Sequence, residues 1–166
     1  NQDSADFIKN PNEWIPIPDC LESIARLNQH GFSVIIATNQ SGIGRGLFDI
    51  ETMNAINKKM LDLLAQVGGH IDAIFYCPHT EDANCKCRKP KSGMLEEIST
   101  RFGVSLKNIP AVGDAARDLE AYQSVSAQPI LVKTGKGEDT FVSKAYPKNT
   151  WIFNNLSQAV DKILKK

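Results

Sequence analysis

Three thiols and an imidazole, Cys77, His79, Cys85 and Cys87, fall within eleven consecutive residues. Together they complete a tetrahedral Zn2+ shell with no position left for water, so the metal expected here is structural. It would order a loop that carries Pro78 and Pro90 and few apolar side chains of its own. A second group is Asp114, directly after Val112-Gly113, with Asp118 one helical turn further on. A carboxylate just beyond a strand end suits Mg2+, which prefers hard oxygen ligands together with a substrate phosphate. Asp118 would face the same place and orient what binds there. A third group pairs the hydroxyl of Thr38 with the ammonium of Lys89. Phosphoryl transfer spreads negative charge over the equatorial oxygens, and its catalysis is largely positioning and charge neutralisation. Thr38, Lys89 and Asp114 are therefore the candidate catalytic residues, with the backbone amides of Asn39, Gln40 and Ser41 as further donors. Each has a plainer reading: Asp114 as a helix cap, Asp118 as a solvated partner of Arg117, Thr38 as a turn cap and Lys89 as a surface charge.

The elements that must hold these groups alternate between helix and strand. Leu21, Ile24, Ala25 and Leu27 recur at helical spacing over 20–29, and Gly31 follows as a stop. Residues 32–37 read as a buried strand, and the glycine-rich stretch 41–46 as a loop. A helix over 50–67 gathers Met53, Ile56, Met60, Leu61 and Leu64 on one face. Strands are expected at 71–76, 109–112, 130–132 and 151–153. Helices are expected from a Ser92 cap to Phe102, over 115–124, and from the last strand to Lys165. The alternation predicts an α/β fold, a doubly wound, Rossmann-like parallel sheet with helices on both faces. Ligands bind such sheets beyond the carboxyl ends of the strands. Three of those ends carry the polar loops at Thr38, Cys77 to Lys89, and Asp114.

Length and composition narrow the classes. A chain of 166 residues fits one domain, 1–166. Nineteen basic residues balance nineteen acidic ones, so no net field draws the chain to nucleic acid or an anionic membrane. No apolar run approaches a membrane span. Grouped cysteines beside a histidine argue against a secreted disulfide scaffold and for a reducing, cytoplasmic setting. Cys20 stands alone and reads as a buried apolar residue.

Taken in order, Ala37-Thr38-Asn39-Gln40, Lys89-Pro90 and Val112-Gly113-Asp114 with Asp118 resemble motifs II, III and IV of the haloacid dehalogenase superfamily. Three longer strings are similar to its zinc-containing branch of heptose bisphosphate and histidinol-phosphate phosphatases. They are Thr38 to Gly46, Cys77-Pro78-His79, and Cys85-Lys86-Cys87-Arg88-Lys89-Pro90.

The resemblance implies a Mg2+-dependent phosphate-monoester hydrolase working through an aspartyl-phosphate. The implied substrate is a small phosphorylated sugar, a heptose 1,7-bisphosphate losing its 7-phosphate on the way to lipopolysaccharide core; the alternative is histidinol phosphate. Asp114 would hold Mg2+, Thr38 and Lys89 the transferring phosphoryl group. Asp3, Asn39, Gln40, Ser41, Arg45 and Arg88 would meet the substrate. With no long insertion after residue 46 the enzyme would be capless, and a monomer is expected. Motif I, the Asp-x-Asp strand that should precede Asn1, does not occur in the sequence. By the family pattern about a dozen residues, one strand and its turn, are missing. The chain as written is therefore expected to be inactive, and the reading of another class is a zinc-stabilised, non-catalytic binding domain.

Overall fold

Short strands that each lead into a helix build two parallel sheets. The computed structural model describes residues 1–2 and 7–165, and its backbone divides into two compact units, 1–83 and 84–166.

In the first unit, helix α1 (Cys20–Gln29) precedes strand β1 (Ile35–Asn39), a one-turn helix α2 (Ser41–Gly44), helix α3 (Ile50–Gln66) and strand β2 (Ala73–Cys77). The α3 helix starts where Asp49 Oδ1 accepts from the Thr52 amide at 2.7 Å. That amide, then the Thr52 side chain, holds the Asp49 carboxyl below its usual range. Trp14, Ala25, Met53 and Leu64 form the buried centre of this unit. Lys59 Nζ donates to the carbonyls of Pro11 and Trp14, both at 2.8 Å, and so ties α3 to the segment before α1. Strands β1 and β2 run parallel, with Ile35 opposite Ala73 and Asn39 opposite Cys77. The Thr38 loop and the cysteine loop therefore leave at the same end of this sheet.

The second unit holds helix α4 (Gly93–Phe102), strand β3 (Pro110–Gly113), helix α5 (Ala116–Ser124), strand β4 (Gln128–Val132), helix α6 (Gly137–Val142), strand β5 (Trp151–Phe153) and helix α7 (Leu156–Leu164). The strands form a parallel sheet in the order β3-β4-β5. β4, paired on both sides, carries the fully buried Ile130 and Leu131. α5 packs on β3 and β4, α6 on β4, and α7 on β4 and β5. The Asn155 side chain caps α7 through the Gln158 amide at 3.0 Å, and the helix buries Ala159, Val160 and Ile163.

The α/β architecture is the expected one, with differences in detail. β1 starts at Ile35 rather than residue 32, because the Val34 amide donates to the Asp72 carboxylate at 2.7 Å and Phe32 stays exposed. Residues 41–46, expected as loop, begin with the α2 turn. α6 has no counterpart among the expected elements. Ser92 occupies the N-cap of α4 without a capping bond; its hydroxyl donates to Glu96 Oε1 at 2.6 Å. Cys20 is half-buried rather than buried, enough for desolvation to push its thiol up. Among the described residues, no helix is long and apolar enough to cross a membrane.

Candidate active site

Lys89 lies near the start of the second unit, before α4, and is not the surface charge of its plainer reading. It is 6% exposed, and its Nζ sits 2.7 Å from Asp118 Oδ1. Asp118, 7% exposed, is likewise no solvated partner of Arg117. Its second oxygen accepts from the Ala115 amide at 3.3 Å, on the first turn of α5. A charge pair this buried is costly to break, because either partner left alone would be an uncompensated ion. Gly113 admits the arrangement: a Cβ there would stand 2.6 Å from that of Asp118. Tyr122, one turn further along α5, donates its hydroxyl to the Val112 carbonyl at 3.0 Å. Burial, and then the charges of Asp118 and Asp114, push its phenol far up, so it stays a neutral donor.

Asp114 follows β3 directly and does not cap α5, whose N-cap is Ala115. Its Oδ2 accepts from the Lys136 amide at 3.0 Å, and its backbone carbonyl accepts from Thr140 Oγ1 at 2.8 Å. The half-exposed carboxylate, a hard oxygen donor with one oxygen tied to an amide, fits a cation such as Mg2+. The segment 134–137 between β4 and α6 is the part of the site that sequence reading missed. Its one signal is Gly135-Lys136-Gly137, two glycines bracketing a lysine just past a strand end.

In the first unit, Thr38 and Asn39 close β1. Thr38 Oγ1 accepts from Gln40 Nε2 at 3.3 Å, so these two candidate residues do meet. The Gln40 amide donates to the Cys77 carbonyl at 2.7 Å, which removes it from the donors expected to face a phosphate. Ser41 opens α2, and Arg45, exposed, follows its end. Gly44 explains why this turn is glycine-rich: its amide donates to the Pro78 carbonyl at 3.0 Å, and a Cβ would stand 2.6 Å from that oxygen. Arg88 is half-buried. Asp3 lies outside the described residues.

The four metal-ligand candidates meet as expected. One donor atom from each of Cys77, His79, Cys85 and Cys87 lies within 4.8 Å of every other. Cys77 Sγ is 3.6 Å from His79 Nδ1, and the sulfurs of Cys85 and Cys87 are 3.5 Å apart, too far for a disulfide. Three soft thiols and an imidazole so spaced could hold a metal ion. Lys91 Nζ braces the loop by donating to Asn84 Oδ1 at 2.6 Å and to the Cys85 carbonyl at 3.0 Å.

Known proteins align with these features over nearly the whole chain. A family model described as polynucleotide kinase 3 phosphatase matches residues 1–154. A D-glycero-beta-D-manno-heptose-1,7-bisphosphate 7-phosphatase of Bordetella bronchiseptica is 48% identical over 166 residues, covering 100% of this chain and 93% of the relative. A protein of the same name from Pseudomonas aeruginosa is 48% identical, covering 99% of this chain and 92% of the relative. The crystal structure of D,D-heptose 1,7-bisphosphate phosphatase from B. bronchiseptica, complexed with magnesium and phosphate, matches with a TM-score of 0.98 at 48% identity. It covers 99% of this chain and 92% of that one.

Proposed function

From the membership of this chain in the polynucleotide kinase 3 phosphatase family, as a haloacid dehalogenase phosphatase alongside the heptose bisphosphate enzymes, we propose that, with an Asp-x-Asp strand ahead of it, it serves to remove the 7-phosphate of D-glycero-D-manno-heptose 1,7-bisphosphate with Mg2+. The observation that carries this reading is Lys89, a buried ammonium fixed by Asp118 where a surface charge would have no such partner.

In this reading Lys89 neutralises charge on the transferring phosphoryl group and the Thr38 hydroxyl donates to another of its oxygens. Asp118 acts through Lys89, holding the ammonium in place. Asp114 would hold Mg2+, which when bound offsets the negative charge of the phosphate. The side chains of Asn39, Gln40, Ser41, Arg45 and Arg88, with Asp3, would bind the rest of the sugar phosphate. Cys77, His79, Cys85 and Cys87 would hold a structural Zn2+. The reaction needs two further aspartates: one attacks phosphorus and expels the sugar oxygen, the other protonates that oxygen and then deprotonates the water that cleaves the aspartyl-phosphate.

No Asp-x-Asp occurs in the 166 residues. By themselves they are expected to release no phosphate, whereas the same chain preceded by an Asp-x-Asp strand is expected to do so. The test follows phosphorus NMR signals of heptose 1,7-bisphosphate and of histidinol phosphate with both forms. Loss of the 7-phosphate alone, only with the added strand, supports the reading. A preference for histidinol phosphate would replace the substrate. No turnover by either form would leave a zinc-stabilised binding domain.

A further inference from the structure

The segment 134–137 and helix α6 take no part in the roles assigned above, yet their contacts converge on one residue. The Lys136 amide holds Asp114 Oδ2 at 3.0 Å, and Thr140, 7% exposed, donates to the Asp114 carbonyl at 2.8 Å. Gly135 has φ +62°, a left-handed conformation, and a Cβ there would collide with the same Oδ2. Gly137 lacks room as well, since its Cβ would strike the Val132 carbonyl. The segment is itself pinned: the Gly137 amide donates to the Thr134 carbonyl at 3.0 Å. Lys133 Nζ lies 3.6 Å from the centre of the Phe141 ring and 3.9 Å from Glu138 Oε2, which draws α6 back onto the end of β4.

We propose that the strap Thr134–Gly137, clamped by Thr140, is a positioning device for Asp114: it engages Oδ2 and the backbone carbonyl so that Oδ1 is presented to the cation. This rests on the reading of Asp114 as a cation ligand. A carboxylate free to rotate must lose that freedom on binding, whereas one held by an amide has already lost it. Lys136 contributes through its main chain, so its side chain is not what the device depends on. The absence of a Cβ at residue 135 is.

The 166-residue chain provides the test, with Mn2+ as the probe and free ion counted by electron paramagnetic resonance. Gly135→Ala is expected to weaken Mn2+ binding at least tenfold. Gly103→Ala supplies the control, because Gly103 has the same φ of +62° but nothing within 4 Å of where a Cβ would stand. It should lower the melting temperature through the left-handed backbone strain alone and leave Mn2+ affinity unchanged. Should Gly135→Ala fail to fold, Thr140→Val is expected to weaken Mn2+ binding several-fold, with Thr140→Ser restoring it. Asp114→Asn separates the two layers of the proposal. If it abolishes Mn2+ binding while Gly135→Ala and Thr140→Val bind as the parent does, the positioning role is overturned and the ligand assignment stands. If Asp114→Asn itself binds Mn2+ unchanged, the ligand assignment falls and takes the positioning role with it.

Discussion

The cysteine loop and the Asp114–Asp118 turn are both short, polar and placed after strand ends, yet they are organised by different means. In the turn, every carboxylate has partners supplied by the chain: Lys89 and the Ala115 amide for Asp118, the Lys136 amide for Asp114. In the loop, four donor atoms gather within 4.8 Å, and their chemistry is suited to one soft cation. Thiols and an imidazole bond weakly to one another, so in the proposed reading a bound ion would supply a large part of the loop's order. The turn carries its own counter-charges. The comparison teaches that a charged site can be made rigid from within only where the donors and acceptors match in number and kind.

The largest effect that would sharpen this contrast is expected from Cys85→Ser. Elemental analysis should find about one zinc per chain in the parent and a large loss in the variant, since binding at such sites contributes on the order of 10 kcal/mol to folding. Zinc retained in full would break the contrast at once. Next comes Lys89→Met, which strands Asp118 as a buried carboxylate and should destabilise the second unit by about 3–5 kcal/mol in urea denaturation. Zinc content should not change, and Lys89→Met with Asp118→Leu should recover most of the loss.

A smaller effect is expected from Tyr122→Phe, which removes one hydrogen bond and about 1 kcal/mol at neutral pH. The Tyr122 phenol is raised by burial in the folded state, so its contribution is full below the unfolded value near 10 and is lost as pH rises beyond it. The parent's stability should therefore fall with pH above about 10 more steeply than the variant's, as read from denaturant midpoints across that range.

Helices with a clean apolar stripe were legible in the sequence. α1 runs over the expected Cys20–Gln29, and the short β5 over the expected Trp151–Phe153. Elements whose stability comes from distant partners were not. The α2 turn is anchored by Gly44 on Pro78, and α6 by Thr140 on Asp114 and by Lys133 against Phe141. Neither helix is announced locally, because Gly-Ile-Gly lies within α2 and Gly-Lys-Gly leads into α6, and both runs favour loops. The residue types of the candidate site were legible for a simpler reason: thiols, paired carboxylates and a lysine before proline are rare in such spacing. Their pairing was not. Lys89 and Asp118 meet across a long stretch of chain, and only the folded backbone tells a buried pair from two surface charges. The Gln40 amide shows the converse, since a donor that looked available is spent on Cys77.

Amide hydrogen exchange of the zinc-loaded chain, before and after chelation, tests the contrast most directly. Protection is expected to collapse over residues 77–91 and to persist at Ala115, Asp118 and Lys136. Equal loss in both regions would mean that the turn, too, is built on the metal.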